Sequence, residues 1–120
     1  ERLMASRQEE YQDTHDTQLV KRAVIDGATS GNNTLVAAVT GKKIRVLALF
    51  VTMTGTAVTI RFEDGADGTA LTGQMGPTAG QTIVLPFNPV GWFETSDATL
   101  LNMELSGGQS VDGSLVYIEA

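Results

Sequence analysis

From residue 34 to the end, apolar and polar residues alternate in short runs separated by turn-forming residues. A repeat of two is the signature of strands with one face covered. The clearest run is Ala57 to Glu63, where Val58, Ile60 and Phe62 point one way and Thr59, Arg61 and Glu63 the other. Leu100 to Leu105 sets Leu101, Met103 and Leu105 on one side, and Val111 to Ile118 closes the chain. Lys43 to Met53 alternates at first, with Ile44 and Val46 opposite Lys43 and Arg45. From Leu47 onward both faces are apolar, which predicts cover on both sides.

Weaker runs fill the gaps. Gln18 to Ile25 predicts a first strand, with Leu19, Ala23 and Ile25 opposite Val20, Arg22 and Val24. Thr34 to Val39, Thr69 to Leu71, Gln81 to Phe87 and Trp92 to Thr95 follow, and Pro86 places its run at a strand end or sheet edge. Asp26 to Asn33 and Gly73 to Gly80 read as loops, and Thr54-Gly55-Thr56 as a hairpin turn joining its two flanking runs. About eight short strands with no helical interruption predict an all-β fold, an antiparallel β-sandwich. Ahead of them, Glu1 to Thr17 is polar, with Leu3, Met4 and Tyr11 as its sizeable hydrophobes. It reads as an extended N-terminal arm that orders on contact. The expected division is 1–33 for the arm and first strand and 34–120 for the sandwich.

A chain of 120 residues is one domain in length. Its net charge of −6 disfavours nucleic-acid binding, and no apolar stretch is long enough to cross a bilayer as a helix. With no cysteine, disulfides and thiolate metal sites are excluded from these residues.

Candidate chemistry is sparse. His15, the one histidine, lies in the polar arm between Asp13 and Asp16, where nothing orients an imidazole. Glu63, Glu94 and Glu104 fall on separate runs, and a hydrolytic carboxylate pair needs two acids at a fixed separation. Glu63 to Gly68 offers oxygen ligands for calcium, but Asp-Gly pairs are also ordinary turn chemistry. No glycine run opens a helix, as phosphate binding requires. The expectation is no catalytic residue, no metal and no cofactor. Trp92 and Phe93 are adjacent and must face opposite sides of a strand, one of them free for a core, subunit or sugar contact. The runs apolar on both faces, Leu47 to Met53 and Leu115 to Ile118, favour oligomerisation.

The stretch from Thr34 to Gly76, opening TLVAAVTGKKIRV, resembles small β-sandwich proteins of tailed bacteriophages. The similarity continues through Pro89-Val90-Gly91-Trp92-Phe93-Glu94-Thr95, a P-x-G-x-F-E-T element, and through the closing GSLVYIEA. The role this resemblance implies is that of a capsid decoration, or cement, protein with a jelly-roll-like sandwich. It implies a homotrimer on the outer capsid surface of the virion that binds the major capsid protein, without nucleic-acid or membrane partners. On that reading the arm residues Leu3, Met4, Arg7, Tyr11, Leu19 and Arg22 touch the capsid. Leu47, Leu49, Val51, Met53, Trp92, Val116 and Ile118 lie between subunits. The competing expectation is a carbohydrate- or receptor-binding module of a phage tail or fibre, using Trp92 and the Asp64 to Asp67 turn.

Overall fold

The computed structural model of the chain describes residues 19–120. His15 and the arm positions Leu3, Met4, Arg7 and Tyr11 lie outside the described residues. The strands are β1 (Val20–Gly27), β2 (Gly31–Val36), β3 (Ile44–Met53), β4 (Ile60–Asp64), β5 (Thr69–Ala70), β6 (Thr82–Leu85), β7 (Phe93–Glu94), β8 (Leu101–Leu105) and β9 (Val111–Glu119). One sheet has the order β1-β9-β3-β6, with β7 also pairing β3. The other has the order β2-β8-β4-β5. Every pairing is antiparallel. Apart from the β7 side pairing, this is the two-sheet, eight-strand arrangement of a jelly roll.

The residues that alternate in sequence meet between the sheets. Ile44, Val46, Leu49, Val51 and Met53 of β3 and Ile25, Val111 and Leu115 pack from one side. Ile60, Phe62, Leu101, Met103 and Leu105 pack from the other. Phe93 leans on Phe62, with ring centroids 5.4 Å apart. Aromatic pairs at this spacing contribute somewhat beyond the area they bury.

Four sequence expectations change. The runs on either side of Gly55 do not form a hairpin, because β3 and β4 belong to different sheets. Residues 54–59 carry the chain across the core instead, so each run buries its apolar face against the other. The alternation in β3 is interrupted by a register shift between Val46 and Ala48. Such a bulge moves the inward set from even to odd positions, which is why Leu49, Val51 and Met53 continue the inner face begun by Ile44 and Val46. The run that looked apolar on both sides is therefore one inner face spliced across a bulge, and Phe50 on the outer side is 49% exposed. Finally, β1 pairs β9 along its whole length and β2 begins at Gly31, so the first strand, which the expected division at 33 grouped with the arm, is built into the sandwich.

The P-x-G-x-F-E-T element is a strap across β3. Thr95 is buried; its backbone N–H donates to the Ile44 carbonyl, and its Oγ1 accepts the Ile44 N–H at 2.9 Å. The N–H groups of Trp92 and Asn88 donate to the carbonyls of Val46 and Leu47, which holds the strap over the bulge. Gly91 has φ of 98°, and a Cβ there would meet the Arg45 side chain at 2.6 Å, so only glycine makes this turn without strain.

Candidate docking face

The two outer faces of the sandwich differ in chemistry. On the β2-β8-β4-β5 sheet the outward positions are polar: Asn32, Thr34, Arg61, Glu63, Asn102 and Glu104. Glu63, expected in solvent, is fully buried there under a polar cover. Arg61 donates to its Oε2, through Nε at 2.8 Å and through a second guanidinium N–H, while Asn102 Nδ2 donates to its Oε1 at 2.9 Å. Asn102 Nδ2 also donates to Asn32 Oδ1, which accepts the Asp67 N–H at 3.1 Å and so pins the β4–β5 turn to the sheet. Glu104 sits beside this cluster, and burial followed by the nearby Glu63 and Asp67 carboxylates raises its pKa. The structure thus brings Glu63 and Glu104 together, whereas Glu94 lies on the other sheet, paired with Arg45 at 2.8 Å and with Lys43 at 3.8 Å. Glu63 is sealed by its partners and Asp64 is engaged with Ser96, leaving neither carboxylate aimed at a cleft. Among the described residues, no three His, Asp or Glu side chains converge as metal ligands would.

The outer face of the β1-β9-β3-β6 sheet is apolar. Its registers define rows across the strands, because paired residues share a face. The central row is Val24, Ser114, Phe50 and Val84. Val24 is 76% exposed and Val84 62%. The next row holds Arg22, Val116 and Ala48, and beyond it Val20 pairs Ile118. On the other side Asp26, Asp112, Thr52 and Thr82 form the last row, with the two threonine hydroxyls 2.9 Å apart. A shallow groove of about 150 Å³ runs between Val116 and Val84, floored by Ala48 and Ser114. Large apolar patches of this kind mark contact surfaces.

Charges frame the face. Asp26 and Asp112 are cross-strand partners, and burial together with the hydrogen bond that the protonated Asp112 carboxyl donates to the Asp26 carboxylate raises the Asp112 pKa. Among the described residues neither has a lysine or arginine partner within ion-pair distance, and nor does Arg22 an acidic one. The one inner-facing cation of β1, Lys21, is held at 2.9 Å by Glu119, whose bond raises its pKa.

The expected subunit contacts divide on this geometry. Leu47, Leu49, Val51, Met53 and Ile118 are buried within the single chain, which leaves them no surface to offer a partner. Val116 lies on the outer face beside the groove, and Trp92 is 43% exposed at the strap with its indole N–H donating to the Pro86 carbonyl at 2.8 Å. Trp92 lines a separate hollow of about 180 Å³ with Arg45, Val90, Phe93 and Glu94. Leu19 and Arg22, expected at the capsid, are both exposed. Val24, Phe50 and Val84, the most prominent side chains of the face, were not singled out from sequence. The signal for Val24 was present in its alternation with Ala23 and Ile25, but that for Phe50 was hidden by the bulge.

No family model matches the chain, and no curated protein matches it at significance. Among solved structures, a protein of Bacillus endospore appendages, described as forming a novel family of disulfide-linked pili, is similar in fold. The two superpose with a TM-score of 0.53 at 16% identity, over 85% of this chain and 86% of that one. At that identity the similarity extends to the sandwich architecture alone.

Proposed function

We propose that this chain is a structural subunit that works by protein–protein docking, and that its setting is the outer surface of a phage capsid, where it decorates and stabilises the shell of major capsid protein. The observation that carries the docking role is the exposed apolar face around Val24, Phe50 and Val84, which a solitary sandwich has no use for. The capsid setting rests on the sequence resemblance described above. The motif behind that resemblance is a framework element, since Gly91, Phe93, Glu94 and Thr95 each fix the strap to β3 or the core. It supports a shared fold more directly than a shared partner. Segment 1–18 would grip the shell while the sandwich supplies contacts between neighbouring subunits, so that many modest interactions act together.

The experiment is occupancy of purified shells by the full chain and by a version lacking residues 1–17. The shortened chain is expected to fold, as read by circular dichroism, and to leave the shells bare. Unchanged occupancy would overturn the assignment of grip to the arm.

A second reading is favoured by the fold similarity to a pilus protein: a subunit that polymerises with itself. The disulfide linkage named for that protein has no counterpart in these 120 residues, which contain no cysteine. Polymers would have to be held by non-covalent faces, and electron microscopy of the concentrated protein distinguishes filaments from discrete particles.

A further inference from the structure

We propose that the outer face of the β1-β9-β3-β6 sheet binds a second copy of this chain about a two-fold axis that runs across the strands along the Val24–Ser114–Phe50–Val84 row. This deepens the docking role by naming the occupant of the face, and it rests on that role but not on the capsid setting.

Two features select a copy of the same chain. The apolar surface is one continuous patch, whereas a ring of three subunits built head-to-tail needs two different complementary patches. A two-fold contact needs only one that complements itself.

The charges on this face are arranged for such self-pairing. Arg22 stands two residues before Val24, and Asp26 stands two residues after it, level with Asp112. Rotation about an axis lying along the Val24 row exchanges these two flanking rows. Each Arg22 then lies over the Asp26–Asp112 pair of the other copy, twice per dimer. Sheets packed face to face sit about 10 Å apart, a gap that an arginine spans. The alternative axis, parallel to the strands through the middle of the face, would set Asp26 and Asp112 over Thr82 and Thr52 of the other copy and leave Arg22 without a carboxylate to meet. The remaining charges of this face, Arg45 and Glu94, already neutralise each other at the strap.

Size sets the strength. Four strands about 4.8 Å apart and some six residues long at about 3.3 Å each give roughly 400 Å² of flat face per copy. The pair would bury about 800 Å², below the range of standard stable interfaces, which implies a reversible, concentration-dependent dimer. Reversibility suits a subunit that must also meet other partners.

The test is sedimentation equilibrium of the full chain up to roughly 100 µM, a range that captures weak association. The wild type is expected to approach the mass of two chains. Val24→Asp with Val84→Asp is expected to raise the dissociation constant at least about ten-fold, and Arg22→Asp to do the same through repulsion. Adding Asp26→Arg to Arg22→Asp is expected to recover most of the loss, a rescue that damaged folding would not give. Circular dichroism confirms that each variant is folded. A wild type that stays monomeric throughout, or reaches the mass of three, overturns the pair. So does a dimer indifferent to both Arg22→Asp and the valine changes. A chain that pairs as described but is missing from virions supports the pair and removes the capsid setting, whereas a monomer that still coats virions does the reverse.

Discussion

Replacing Arg61 by methionine isolates what holds a fully buried carboxylate in the polar cover. Methionine keeps most of the aliphatic stem, so packing changes little and the guanidinium is lost. Glu63 would retain one donor, Asn102 Nδ2 at 2.9 Å on Oε1, while Oε2 would lose every bond the structure gives it. Removing one member of a buried ion pair costs about 3–5 kcal/mol, because the remaining charge is left uncompensated. The Arg61 side chain is 34% exposed, so water reaches part of the vacated space and screening lowers the cost. The expected loss is about 2–3 kcal/mol, a large share of the roughly 5–15 kcal/mol that holds a domain of this size. Urea unfolding reads it as a lower midpoint at unchanged slope. Adding Glu63→Gln to Arg61→Met removes the stranded charge and is expected to return at least about 1 kcal/mol, so the two changes are non-additive. If Arg61→Met unfolds within about 0.5 kcal/mol of the wild type, or if the double variant is no better than the single one, the ion pair is not what makes Glu63 tolerable there.

Two further outcomes follow from local geometry. Gly113→Ala would place a Cβ 1.8 Å from the Phe50 carbonyl oxygen, so β9 must separate from β3. The expected loss is about 3 kcal/mol or more, seen as a lower thermal midpoint, and a neutral result would contradict the close approach of these strands. Because burial and Asp26 raise the Asp112 pKa in the folded chain, the folded state binds more protons than the unfolded one between the two values. Stability from this group is thus greatest in acid and falls as pH rises from the unfolded to the folded pKa. Asp112→Asn is expected to flatten that part of the stability-against-pH curve, and an unchanged slope would deny the raised pKa.

Much of the sandwich is visible in the chain because strict alternation is a direct consequence of having one covered face. Val58, Ile60 and Phe62, and likewise Leu101, Met103 and Leu105, point inward as their spacing implies. What alternation does not encode is partnership. The turn around Gly55 resembles a hairpin locally, yet the choice between pairing β4 with β3 or crossing to β8 is decided by the whole core. The bulge at Leu47 has a similar origin: its carbonyl is taken by Asn88, forty-one positions later, and no local pattern announces this. That one residue converts an apparent two-faced strand into an inner face plus an exposed Phe50, and it moves the candidate contact surface from Leu49, Val51 and Met53 to their neighbours. Glu63 illustrates the same limit for polar groups. Its outward direction was legible, but its burial depends on Arg61, Asn102 and, through Asn102, on Asn32 across the sheet.

Copy number in purified virions, measured by quantitative mass spectrometry against the major capsid protein, bears on the proposed role without intermediates. A shell-coating subunit is expected at a fixed ratio to the capsid protein, amounting to hundreds of chains per particle (on the order of one for every few capsid subunits, as repeated modest contacts require). A handful of copies, or none, would contradict it.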